Sequence, residues 1–390
     1  AGTFVGCSSN SGKTENDTKN NEKKVVKVFQ LKVEINDALQ KLAKEYENET
    51  GIKVEVTTVG GGADYGAALK AEFQKGTEPD IFMIQGAGDL GVWEYKLEDL
   101  SSEKWVSNAF EGTLDTVKKD GKLFGMPVAI EGYGLAYNKA ILDKASIDPK
   151  SIDTYDKLKA AVEKLDSMKA DLGLDNVISY TTNQTWVTGN HTFNIALATQ
   201  EKPNEFTKSY IDGTADIVNN QNFKDWMNLV DLLIKYGGGA TLDTIDYSTQ
   251  VANFALGKTA FLHQGNWVAG DLAGLDANFD MGFVPLAINN NTKVSGSIPV
   301  GVPMYWTVNK DSAVKSEAKA FLDWMVSSET GQKALIDDMK MIPAYNNFKI
   351  ETNDKLAKSI MEFSDAGKTI PWAFTNLPDG LSLIHISEPT

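Results

Sequence analysis

The stretch VVKVFQLKVEINDALQKLAKEYENETGIKVEV, Val25 to Val56, decides the fold. Its opening, Val25 to Leu31, is rich in β-branched side chains and reads as a short strand. Ile35, Leu39, Leu42, Ala43 and Tyr46 then recur at spacings of three and four, which places them on one face of a helix that Gly51 closes. Ile52, Val54 and Val56 alternate with Lys53, Glu55 and Thr57, the period of a strand with one buried face. Beyond it, Gly60-Gly61-Gly62 makes a loop, a second helix runs to Gly76, and Pro79 to Ile84 forms a third strand. Strand, helix, strand, helix, strand joined by right-handed crossovers gives a parallel sheet in an α/β fold.

The same alternation continues. Lys118 to Met126 carries Asp120-Gly121 between two short runs, a hairpin signal. Tyr155 to Met168 is a helix with Leu158, Ala161, Val162 and Leu165 on one face, and Ala313 to Met325 is another with Ala318, Phe321, Leu322 and Met325 inward. No internal repeat is visible.

Composition narrows the function. The chain has 390 residues, 42% of them hydrophobic, with eight Trp and twelve Tyr, so it is globular and long enough for two lobes. No run of eighteen apolar residues marks a membrane span. A net charge of −15 argues against nucleic acid and against adhesion to an anionic membrane, both of which need clustered basic residues. All 38 basic residues are Lys. Without the planar fork of Arg, a free amino acid, a peptide C-terminus or a phosphate ester is a poorer ligand.

Both ends carry their own signals. Phe4-Val5-Gly6-Cys7 places the only cysteine after an apolar pair and a small residue, the pattern a bacterial lipoprotein signal leaves at its cleavage point, where the thiol takes a lipid. Residues 1–6 are then expected to be a signal-peptide remnant, and residues 7–24 a lipidated Cys7 with a polar, flexible tether. This reading expects a lipid-anchored extracellular protein on the outer face of the cytoplasmic membrane. The competing reading is an unpaired cysteine near a frayed terminus. LSLIHISEPT, Leu381 to Thr390, continues no preceding pattern and is expected to be a translated sequencing-adaptor artefact rather than a terminal strand. Both termini thus look truncated.

Four stretches together carry a family resemblance. PDIFMIQG (Pro79 to Gly86), GKLFGMPVAIEGYGLAYNK (Gly121 to Lys139), FALGKTAFLHQGNW (Phe254 to Trp267) and PVGVPMYWTVNKDS (Pro299 to Ser312), the last followed by EAKAFLDWM (Glu317 to Met325), occur in order. The chain resembles the extracellular solute-binding lipoproteins of ABC sugar importers, and more narrowly the maltose-binding-protein-like class that takes oligosaccharides. The resemblance implies a two-lobed periplasmic-binding-protein-like fold, each lobe a mostly parallel sheet flanked by helices, joined by a multi-strand hinge. The hinge crossings are expected near Glu131 to Gly134, Phe283 to Leu286 and Ser327 to Gly331. That assigns residues 25–131 plus 287–328 to the N-terminal lobe and 132–286 plus 329–380 to the C-terminal lobe. It also implies a neutral oligosaccharide held between the lobes, ABC permease subunits as partners, no cofactor and no metal, and a monomer.

A sugar cleft needs flat aromatic faces for the apolar side of a pyranose ring, with amides, carboxylates and backbone groups for its hydroxyls. Trp267 follows a strand-like run and a glycine that opens a helix, and the resemblance assigns it to the ligand; the alternative is a core tryptophan. Trp186 lies in the polar, glycine-containing stretch NQTWVTGN, and Trp372 in TIPWAFTNLPDG. Trp93, Trp105, Trp226 and Trp324 sit within apolar patterns and read as core, whereas Trp306 and Tyr305 on the strand MYWTV fit either role. Glu131 interrupts the apolar run MPVAI, where a carboxylate is costly unless paired or wet, so it is a ligand contact or a hinge ion pair. Gln85, Gly86 and Asp89 follow the third strand at its carboxyl end, Asn266 and Gln264 flank the Trp267 turn, and Gly301 opens a close-approach loop. Turn and cap chemistry is the alternative for each of these.

Enzyme chemistry finds little purchase. His191 and His263 have no cysteine or second histidine near them in sequence, so a zinc site is unsupported, and His263 on an apolar strand reads as core. Gly60 to Gly62 lacks phosphate-loop spacing, and no GxSxG element occurs. Three functions remain in order: a carbohydrate receptor, a receptor of the same fold for a cationic solute such as a polyamine, and a surface-anchored glycosidase using paired carboxylates.

Overall fold

The computed structural model describes residues 24–378; Cys7, the expected tether and the segment 381–390 lie outside them. Strand β1 (Val25–Gln30) leads through a short turn into helix α1 (Asn36–Thr50), whose buried residues are Leu39, Leu42, Ala43 and Tyr46. Gly51 ends α1 with φ of 76°, its N–H donating to the Glu47 carbonyl, a left-handed cap that glycine takes without strain. β2 (Lys53–Thr58), α2 (Tyr65–Lys75), β3 (Ile81–Ile84) and α3 (Ala87–Trp93) complete the opening alternation.

The hairpin of β4 (Lys118–Lys119) and β5 (Lys122–Leu123) turns on Asp120 and Gly121, both at positive φ. It precedes β6 (Met126–Pro127) and the long β7 (Glu131–Asn138). Then follow β8 (Ile178–Ser179), β9 (Phe261–Gly265), β10 (Met281–Val284), β11 (Ile298–Gly301), β12 (Tyr305–Val308) and β13 (Thr369–Ile370).

These strands make two main sheets. The first has the order β2-β1-β3-β12-β6, and the second β13-β11-β7-β9-β8 with β10 also on β7. The two-lobed α/β architecture is the expected one, but both sheets are mixed where mostly parallel sheets were expected. β1 is parallel to β2 and β3, whereas β12 is antiparallel to β3 and β6. β7 is antiparallel to β9, β10 and β11. Helical crossovers set the parallel pairs; β12, which arrives by a three-residue link from the other sheet, enters from the opposite end.

The cores show where the chain changes lobe. One contains Val26, Phe82, Met126, Trp306 and Phe321 and continues through Leu335 to Tyr345. The second sheet is covered on one face by Tyr133, Leu135, Phe261 and Leu286, and on the other by Ala136, Leu262, Phe283 and Ile360. β7 accomplishes this by alternation: Tyr133 and Leu135 face one core, while Gly132, Gly134 and Ala136 leave room for the other. β7, which begins at Glu131, belongs to the second sheet, and the cores put the other two changes of side away from residues 286 and 328. Ala287, Ile288 and β11 side with the second sheet, so the return occurs between Gly301 and Tyr305; Ala334, Leu335, Met339, Met341, Ala344 and Tyr345 stay with the first core, while Ile342 packs with the second sheet.

Candidate functional site

The site grows from the end of the second sheet, where β11, β7 and β9 lie side by side. Gly301 pairs with Glu131, and Tyr133 with Gly265. Both flanking glycines are seats for tryptophans. A Cβ at Gly301 would stand 2.8 Å from Trp372 Cγ, and one at Gly265 would stand 2.5 Å from Trp267 Cη2. Between them, Asn266 Oδ1 accepts the Gly132 N–H at 3.0 Å and fixes the turn that carries Trp267 to the start of β7.

Around these seats the aromatic rings converge. Trp267 lies 6.3 Å from Trp186, 6.4 Å from Trp372, 4.9 Å from His191 and 6.3 Å from Tyr133, centroid to centroid. Tyr247 flanks Trp186 at 5.9 Å, and Phe374 flanks Trp372 at 5.5 Å. Most contacts are tilted or edge-to-face, which the ring quadrupoles favour. Trp186 and Trp267 are partly exposed, while Trp372 is buried. The three tryptophans picked from the sequence therefore form one cluster.

Each partly exposed indole has its N–H tied down by a nearby glutamine. Trp186 Nε1 donates to Gln184 Oε1 at 3.2 Å, and Trp267 Nε1 to Gln264 Oε1 at 2.9 Å. Trp372 Nε1 is buried and has no hydrogen-bond partner among the described residues. Leaving a buried donor unsatisfied costs about 1–3 kcal/mol.

Glu131 is buried and ion-paired with Lys32, Nζ to Oε1 at 2.6 Å, and Lys32 also meets Glu34 at 2.7 Å. Lys32 stands at the end of β1 in the first lobe, so this pair ties the two lobes at the crossing. Burial pushes the Glu131 carboxyl above the usual carboxylate range, against the pull of Lys32. Burial alone would lower the Lys32 ammonium, but the two carboxylates hold it above its ordinary value. Nearby, Tyr247 donates to Asp271 Oδ2 at 2.7 Å, and burial raises Asp271. Lys32 therefore sits between two carboxylates, and the Asp271 carboxyl feels the Glu34 charge.

The first lobe reaches the seam elsewhere as well. Gly86 abuts Thr375, a Cβ there falling 3.2 Å from Thr375 Cβ, and Gly88 abuts the Leu377 carbonyl. Asp89 Oδ2 accepts the Gln85 N–H at 2.7 Å, so Gln85, Gly86 and Asp89 form a capped turn at the seam beside Thr375. Gly62 of the glycine loop lies against Gln184, 3.4 Å from a built Cβ to Oε1. Tyr305 is not brought to the cluster. It is buried in the first lobe, where it donates to the Thr113 carbonyl at 2.8 Å and accepts from Thr116.

Trp93, Trp105 and Trp226 are buried, as their patterns indicated, and so is Trp306, which fitted either role; Trp324, read as core, is only partly buried. His263 is also a core residue, packed on Tyr133 and Tyr180, with burial lowering it to about 4. His191, weighed only as a metal ligand, instead lies among the three tryptophans and is held neutral by burial. Lys32, Glu34, Tyr247 and Asp271 were not singled out. Lys32 and Glu34 carried a weak signal, charges flanking the apolar Val33 just after a strand end; Tyr247 and Asp271 carried none. Among the described residues no group of His, Cys, Asp and Glu is arranged to hold a metal, and no helix is long and apolar enough to cross a membrane.

The chain is similar to several known proteins. A maltooligosaccharide ABC transporter solute-binding lipoprotein of Streptococcus pneumoniae is 24% identical over 381 residues, covering 92% of this chain and 82% of that one. The melibiose/raffinose/stachyose-binding protein MelE of Bacillus subtilis is 26% identical over 310 residues, 74% of this chain and 66% of that one. Among solved structures, the solute-binding protein RafE in complex with raffinose superposes with a TM-score of 0.76 at 20% identity, covering 90% of each chain. A Bacillus licheniformis sugar transporter in complex with stachyose gives 0.74 at 19% identity, covering 93% of each. The family profile described as bacterial extracellular solute-binding protein matches residues 41–359, and the chain belongs to that family.

Proposed function

We propose that this protein is a carbohydrate receptor that captures a neutral oligosaccharide between its lobes and delivers it to an ABC import permease. The observation that carries this reading is the pair Trp186 and Trp267, partly exposed, each with its N–H edge engaged by a glutamine. An indole fixed by its edge offers a flat face, which suits the apolar face of a pyranose. The unpartnered Trp372 N–H and the carboxylates Glu34, Glu131 and Asp271 offer a donor and acceptors for ring hydroxyls. The sugars named for the relatives, maltooligosaccharides and the raffinose group, share that pairing of apolar faces and dense hydroxyls. Attachment to the outer face of the membrane through a lipid on Cys7, and action as a monomer, belong to the same reading.

One observation favours a second reading. Glu34 and Glu131 both pair with Lys32 and Asp271 pairs only with a neutral tyrosine, a surplus of negative charge that a polyamine would neutralise. A thermal-shift screen against maltotriose, raffinose and stachyose, with spermidine and putrescine as contrast, separates the two. A ligand at a hundredfold its Kd stabilises by about 2.7 kcal/mol. Stabilisation by one neutral sugar class and not by the amines is the expected result.

A further inference from the structure

We infer that Gln264 and Gln250 are positioning residues that hold the Trp267 indole ready for ligand, an inference that rests on the carbohydrate reading above. The observation is an unbroken chain of buried amides. Trp267 Nε1 donates to Gln264 Oε1 at 2.9 Å, and Gln264 Nε2 donates to Gln250 Oε1 at 2.8 Å. Gln250 Nε2 then donates to the carbonyls of Ser179 and His263, both at 3.1 Å, and Ser179 Oγ donates to the Gln250 carbonyl at 2.7 Å. Gln264 is 1% exposed and Gln250 is fully buried.

Burying two amides is costly unless every group is matched, and here each link matches the next. The chain begins on the backbone of β8 and β9 and ends on a partly exposed ring, Trp267. Gly265 supports that ring closely, so the indole is held at its N–H edge and against Gly265 while it stays partly exposed. Trp186 is built differently. Its glutamine, Gln184, donates to Asn183, whose exposed amide reaches the Asp243 carbonyl, and Gln184 also lies against Gly62 of the first lobe. Trp267 is thus set by the interior of one lobe, whereas Trp186 shares its support with the other. A preset platform spares the ordering cost that binding would otherwise incur.

The test uses Gln264→Met, which keeps length and removes the acceptor, and Gln264→Glu, which keeps an acceptor for the indole. The readouts are hydrogen exchange of the Trp267 Nε1–H, assigned by Trp267→Phe, and calorimetric titration with maltotriose and raffinose. In the ligand-free wild type this N–H is expected to exchange slowly, and in Gln264→Met to lose protection by tenfold or more while Gln264→Glu retains it. Whichever sugar binds should bind Gln264→Met about five- to tenfold more weakly, the worth of one neutral hydrogen bond. That loss should vanish in a Trp267→Phe background, where no N–H remains to hold. Rapid exchange of the wild-type Nε1–H, or an equal loss in the Trp267→Phe background, overturns the positioning role. Binding of neither sugar counts against the carbohydrate reading alone, because the ligand-free exchange decides the positioning claim by itself and does so even if Gln264→Met fails to fold.

Discussion

The indole of Trp267 lies across Gly265, the glycine that ends β9, so closely that a Cβ there would stand 2.1 Å from the ring and 2.5 Å from the Gly132 carbonyl oxygen. Gly265→Ala should therefore tilt Trp267 off its seat and strain β7. We expect a stability loss of about 1–3 kcal/mol, typical of overpacking, together with at least a tenfold loss of sugar affinity. Calorimetric titration beside a melting curve checks both.

The two kinds of aromatic residue should separate cleanly. Trp186→Ala should weaken sugar binding by roughly ten- to a hundredfold, because it removes a large apolar face from the site. Tyr305→Phe should leave affinity unchanged and lower stability by about 1 kcal/mol, since its hydroxyl serves only Thr113 and Thr116 in the first core. Affinity loss in Tyr305→Phe would place that residue in the site after all.

Lys32 and Glu131 should behave as a coupled buried pair. Lys32→Met strands the Glu131 carboxylate and should cost about 3–5 kcal/mol at neutral pH. Its folded-state pKa then stands above that of the unfolded chain, so the native state binds more protons and stability should recover as pH falls toward 5. The double variant Lys32→Met with Glu131→Gln should regain most of the loss at pH 7. Urea denaturation at two pH values gives the comparison.

His263 sets an acid limit. Burial lowers it from 6.5 to about 4, while its Nε2 meets Thr192 Oγ1 at 3.2 Å and its faces meet Tyr133 and Tyr180. Between those pH values the unfolded chain binds the proton and the folded one does not, so stability falls on acidification, by about 3 kcal/mol across the window. His191 is shifted in the same direction, so His263→Gln should flatten but not abolish the decline. An unchanged slope in His263→Gln would contradict this assignment.

The periodicity of Leu39, Leu42, Ala43 and Tyr46 carried α1 and its cap, because an amphipathic period specifies which face is buried. It does not specify which core that face joins. IPVG and YWTV are both short apolar strands separated by Val302, Pro303 and Met304, yet one joins the second sheet and the other the first. That is why the lobe bounds at 286 and 328 were misplaced. That Trp186, Trp267 and Trp372 fall into one cluster could be anticipated from the polar, glycine-bearing stretch around Trp186 and the strand end before Trp267. Tyr247 and Asp271 were not, since each is an ordinary helix residue until β7 and β9 bring its helix to the seam.

The most direct test of the central claim is calorimetric titration of the wild type and Trp267→Ala with maltotriose, raffinose and stachyose, with spermidine as contrast. The account predicts saturable binding of at least one neutral oligosaccharide, weakened tenfold or more in Trp267→Ala, and no binding of spermidine. Binding of spermidine alone, or sugar binding that survives Trp267→Ala unchanged, would contradict it.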